Sequence, residues 1–129
     1  MILAGSAALA LAGCQQKTAA DAADPNAGLS KAILAWRGDI ARTPACSVKV
    51  PEGKACQTFE VDCKVEAPLG PQDKGVTAKV VAAMSWSEWN PIRGAYDPAS
   101  GGALFAKTNG QWVRKDIAGP VNLSTCATS

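Results

Sequence analysis

The chain has 129 residues with 13 Lys or Arg, 11 Asp or Glu and no histidine, a formal net charge of +2. That charge is too small to argue for a nucleic-acid partner. The missing histidine excludes Ser-His-Asp and Cys-His nucleophile systems, His-ligated metals and His acid/base work.

In chain order, the first thirteen residues are almost wholly apolar or small, with the run Ala7-Ala8-Leu9-Ala10-Leu11. A run of that length is too short to span a bilayer and reads as the apolar region of a secretory signal. Small residues, Ala12 and Gly13, sit where a peptidase needs unhindered backbone, and Cys14 follows at once. Leu11-Ala12-Gly13-Cys14 resembles the lipobox of bacterial lipoproteins. The resemblance implies a signal peptide over 1–13, diacylation (palmitate-type chains) on the Cys14 sulfur, and a third chain on its new amine. Each buried CH₂ contributes about 0.8 kcal/mol, so two or more chains anchor stably. The implied partner is thus the membrane, through the lipid. Gln15 occupies the position that sorts enteric-type lipoproteins inward when it is Asp, which implies an outer-membrane address facing the periplasm. Signal peptides open with positive charge, yet no Lys or Arg precedes the apolar run; the leader is therefore expected to start upstream of Met1.

Residues 14–28 carry few large apolar side chains and read as a tether, with a single domain expected over 29–129. Some 13 tether residues give an r.m.s. reach of roughly 20 Å. Leu29, Ile33, Trp36 and Ile40 recur at spacings of four, three and four, which predicts an amphipathic helix. Its start is expected at Asp24-Pro25 or Asn26 and its end before Pro44. Phe59, Val61, Cys63 and Val65 alternate with Glu60, Asp62 and Lys64, predicting a strand with one buried face. Pro68 to Gly75 reads as a loop, and Val76 to Trp86 as a central strand covered on both sides. Asn90-Pro91, Asp97-Pro98 and Gly101-Gly102 predict an irregular stretch. Ala103–Lys107 and Trp112–Ile117 flank Asn109-Gly110, the strongest short hairpin signal, because both central residues must accept positive φ. The expected architecture is α+β, one helix packed on an antiparallel sheet of about four strands. Its element order resembles cystatin-like folds, in which a sheet curls around one helix.

Besides Cys14, Cys46, Cys56, Cys63 and Cys126 make an even set, which in a short exported chain reads as two disulfides with three possible connectivities. Leu, Ile, Val and Phe form only about a fifth of the mature domain, a thin supply for a core. Alternation places Cys63 on the buried face with Phe59 and Val61, and Cys56 on the opposite one. Cys46–Cys56 and Cys63–Cys126 are therefore the favoured pairs. No Cys-x-x-Cys spacing suggests zinc, and no metal, cofactor or catalytic residue is expected.

Three of the seven aromatics fall in Trp86–Tyr96, beside Glu88 and Arg93. Trp, Tyr and Arg dominate interface energetics, and binding residues collect on loops. Trp89, Arg93, Tyr96 and Glu88 are thus the candidate binding residues; Trp86 is expected in the core, and the rival reading has Trp89 join it there with Tyr96 covering an edge. The expected function is a lipid-anchored, non-enzymatic envelope module binding an envelope protein or cell-wall glycan. The alternative is a periplasmic inhibitor of a lysozyme or protease. An enzyme using Glu88 comes third, for want of a partner carboxylate. A protruding loop would favour the inhibitor, a flat aromatic platform the glycan binder, and a concave acidic pocket the enzyme.

Overall fold

The computed structural model describes residues 24–128. The leader, Cys14, Gln15 and most of the expected tether lie outside the described residues. Helix α1 (Leu29–Ala41) is followed by β1 (Gln57–Glu66), β2 (Val76–Asn90), β3 (Ala95–Thr108) and β4 (Gln111–Ile117). The strands pair antiparallel in the order β1-β2-β3-β4. The described residues therefore form an α+β domain, with one helix on a four-stranded meander.

Leu29, Ile33, Trp36 and Ile40 are all buried, as one stripe of α1. They close on the inner sheet face, where Val80, Ala82, Met84, Ala103 and Phe105 are buried. The helix start differs from the expected polar cap. Asp24 Oδ1 accepts the Asn26 N–H at 2.9 Å in a preceding turn, and the N-cap itself is Gly28, at φ 86° with no side-chain cap bond. Glycine suits the left-handed backbone there, and the Trp112 indole lies in van der Waals range of the position its Cβ would take. That indole donates to the Ala27 carbonyl at 2.9 Å, so β4 docks on the helix entrance. At the far end the Arg42 N–H bonds back to the Gly38 and Asp39 carbonyls, and the Thr43 hydroxyl donates to Ile40 O. Asp39 also receives Arg114 of β4 at 2.7 Å, a second tie between helix and sheet.

The expected turn at Asn109-Gly110 is present, with φ 52° and 77°, and it sets Lys107 opposite Trp112. The irregular stretch expected across 90–102 is instead mostly strand. β2 continues to Asn90, and β3 begins at Ala95 and runs through Pro98, Gly101 and Gly102. Pro98 is tolerated because β4 reaches no further than Gly102, leaving β3 an edge strand there. Gly102 serves a close approach. A Cβ there would collide with Val121, which lies over the outer sheet face.

β1 departs from strict alternation. Register shifts fall between Gln57 and Glu60 and between Val61 and Cys63. Each β-bulge adds a residue on one strand only and so inverts the parity beyond it. Val61 pairs with Met84 on the inner face, whereas Cys63 pairs with Ala83 and Val65 with Val81 on the outer face. The four residues expected on one face are thus divided between two. Both favoured disulfides are formed, Cys46–Cys56 with Cα atoms 4.8 Å apart and Cys63–Cys126 at 5.8 Å. The faces are the reverse of those expected. Cys56 packs with the inner core near Phe59, and Cys63 holds the C-terminal segment against the outer face.

Candidate binding surface at the β2–β3 hairpin

The β2–β3 ladder is the longest in the sheet, pairing Asn90 with Ala95 at its tip. β1 pairs only as far as Ser87 and β4 only to Gly102, so the hairpin outruns both neighbours. Its four-residue loop, Pro91-Ile92-Arg93-Gly94, is braced from within. Asn90 Oδ1 accepts the N–H groups of Ile92 at 2.9 Å and Arg93 at 3.3 Å. The Gly94 N–H donates to Asn90 O at 2.8 Å, with Gly94 at φ 65°. Asn90 Nδ2 donates to Asp97 Oδ2 at 2.7 Å, and Arg93 Nε donates to Asp97 Oδ1 at 2.9 Å. Ile92 stands at the crest, 95% exposed.

The Asn90 amide, and then the Arg93 guanidinium, hold the Asp97 carboxyl below its ordinary value of 3.8. A carboxyl depressed in the folded state contributes stability above its unfolded pKa, and loses it as pH falls through the folded value. Loosening of the tip is therefore expected only below about pH 4. Between pH 5 and 8, where no histidine titrates, amide exchange at Ile92–Gly94 should follow the intrinsic rate, with its protection unchanged. A protection step near neutral pH would contradict this bracing.

Trp89 and Tyr96 face each other across the ladder, half-buried, with ring centroids 5.3 Å apart in a T-shaped contact. They form no flat platform. Lys54 Nζ lies 4.4 Å from the Trp89 ring centroid, and the Tyr96 hydroxyl donates to Ala55 O at 3.1 Å. The pair thereby splints the disulfide-closed segment 46–56 to the hairpin root. Trp86 turns to the inner face, stacks on Phe59 and donates its indole N–H to Glu88 Oε2 at 3.0 Å.

Glu88 does have a cross-strand acid, Asp97, which the sequence reading missed. Asp97 is committed to Asn90 and Arg93, however, and Glu88 to Trp86. Glu88 also comes within 4.8 Å of the sulfurs of Cys46 and Cys56. Those sulfurs are bonded to each other, so neither offers a thiolate to a metal. Of the four candidate residues, Arg93 lies in the loop, and Trp89, Tyr96 and Glu88 lie on its supporting strands. Asn90, Asp97, Lys54 and Ile92 join them in space. Asn90-Pro91 and Gly94 could have located the loop in the sequence, and with it the pairing of Trp89 with Tyr96.

The hairpin and the described start of the chain lie at opposite ends of the sheet. Asn26 bonds to Glu66 and Trp112 to Ala27 at one end, and Trp89 is ten residues along β2 from Lys79, roughly 33 Å at strand rise. No family model, curated protein or solved structure matches the chain.

Proposed function

We propose that this chain is a lipid-anchored cell-envelope protein, held through Cys14, whose domain is a non-enzymatic binding module that meets a protein partner with the β2–β3 hairpin tip. The observation that carries the binding reading is the crest of that hairpin. A large apolar side chain at 95% exposure stands on a loop whose three N–H groups and Arg93 side chain are held by Asn90 and Asp97. Such preorganisation lowers the ordering cost of association. The anchor reading draws on Leu11-Ala12-Gly13-Cys14. The described chain enters at the end of the sheet opposite the tip, which supports a tip turned away from the anchor.

A photoreactive phenylalanine in place of Ile92 should cross-link to an envelope protein in intact cells. The same residue at Val113, on β4, should not. Ile92→Ser should leave stability within about 0.5 kcal/mol and reduce capture by wild-type competition. Adducts from Val113 but none from Ile92 would overturn the assignment.

Inhibition of a lysozyme or protease is a second reading, favoured by the same protruding tip, since a braced exposed loop is the shape that enters an active-site cleft. Loss of lysozyme or protease activity on adding the protein, restored by Ile92→Ser, would select it.

A further inference from the structure

On the outer face of the sheet, beside the root of the hairpin, lies an open concavity of ≈ 320 Å³. Thr58, Glu60, Ser85, Ser87, Tyr96 and Pro98 line it, joined by Trp86 and Asp97, which alternate to the other face of their strands. The lining is unlike the rest of the sheet. β2 carries Val81 and Ala83 on this face and then switches to Ser85 and Ser87. Across β1 the bulge turns Thr58 toward Ser87, with the two hydroxyl oxygens 2.6 Å apart.

Thr58 itself sits at φ 57°, a conformation that a β-branched residue rarely adopts. Strain of this kind persists where surrounding structure over-determines it, and it clusters at ligand sites. Tyr96 is fixed as a wall by Ala55 and Trp89, so the concavity is formed in advance of any ligand.

We infer that this concavity is a binding site for a neutral sugar, a polyhydroxylated ring set among the hydroxyls with Tyr96 as its apolar wall. Hydroxyls both donate and accept, whereas the Glu60 carboxylate only accepts. A ring bearing several hydroxyls matches that mixture, and its C–H face matches an aromatic wall. An apolar ligand would leave the Ser85 hydroxyl and the Glu60 carboxylate without partners, whereas Thr58 and Ser87 already bond to each other. An anionic ligand would meet Glu60, with no Lys or Arg among the lining side chains to offset it. The volume lies at the small end of ligand pockets, roughly 300–1,000 Å³, suited to one or two rings of an oligosaccharide. This site stands independently of the partner at Ile92 and of the Cys14 anchor.

Chitotetraose, a neutral oligosaccharide, and tetragalacturonate, an anionic one, provide the test by calorimetry and amide chemical-shift mapping. Chitotetraose should bind and shift the amides of Ser85, Ser87 and Tyr96. The double variant Glu60→Gln, Ser85→Ala should bind it at least tenfold more weakly. Ile92→Ser should bind it as the parent does, so loss of the hairpin reading and loss of this one are separable. Tetragalacturonate should not bind. Absence of chitotetraose binding at millimolar concentration, shifts confined to other faces, or equal binding of tetragalacturonate would each overturn the inference. The shift map needs no variant and decides the matter even if the substitutions unfold the domain.

Discussion

Replacing Cys63 and Cys126 together by Ala is expected to lower the unfolding free energy by about 4 kcal/mol, by the loop-entropy relation for a large closed loop. The bridge spans 63 residues, against 10 for Cys46–Cys56, for which the same relation gives about 2.5–3 kcal/mol. Total stabilities of single domains run at about 5–15 kcal/mol, so the first loss approaches the whole margin of a domain with so thin a core. The location adds to the effect. Cys126 is buried, and the segment it holds lays Val121 on Gly102. Freed from the bridge, that segment would expose Ala83 and Gly102. Urea unfolding of the two double variants should therefore rank Cys63/Cys126 as the more destabilised. The reverse order would show that the C-terminal segment holds itself in place without the bridge. Thiol titration of the denatured, unreduced domain should find none of the four cysteines reactive.

Phe105→Ala should cost about 3–5 kcal/mol, the usual range for truncating a buried Phe. Phe105 is wholly buried and meets Trp36 edge-on, with centroids 5.8 Å apart at 70°. It sits between β2, where Val80 is its cross-strand partner, and the buried stripe of α1. The neighbouring inner-face positions, Ala82 and Ala103, are too small to move into the space. Helix and sheet would thus lose their main aromatic contact with little compensating collapse. Phe105→Leu retains most of the volume and should cost distinctly less. Chemical denaturation of both variants checks the pair, and equal losses would place the edge-on contact, rather than volume, at the centre of the core.

The helix was legible because its burial stripe repeats at the helical period, and the β3–β4 turn because Asn109-Gly110 supplies two residues that accept positive φ. The helix entrance was not. Gly28 caps α1 with a left-handed backbone and no side-chain cap, and the carbonyl before it is taken by the Trp112 indole, a contact made some 85 residues away that no local pattern encodes. Alternation along β1 was misleading for a related reason. The bulges at Thr58 and Asp62 invert parity, and nothing in Phe59-Glu60-Val61-Asp62-Cys63 announces them. Both favoured disulfide pairs form even so, since Cys56 and Cys63 stand on opposite faces under either phase.

The candidate surface was half legible. Trp89, Arg93 and Tyr96 stood out as aromatic and cationic residues among turn formers, but Pro98 and Gly101-Gly102 argued against a strand just where β3 runs. Those residues fit because β3 has lost its outer neighbour at Pro98 and receives Val121 at Gly102. The roles of Lys54, Ala55 and Thr58 depend on the folding back of the 46–56 segment, so they could be read only once its path was known.

Incorporation of labelled palmitate into the chain, expressed from its own leader in a bacterial host, tests the envelope anchor most directly. The parent is expected to take up label and to fractionate with membranes, whereas Cys14→Ala should take up none and accumulate uncleaved. Absence of label from the parent, or equal label in Cys14→Ala, would contradict anchoring through Cys14.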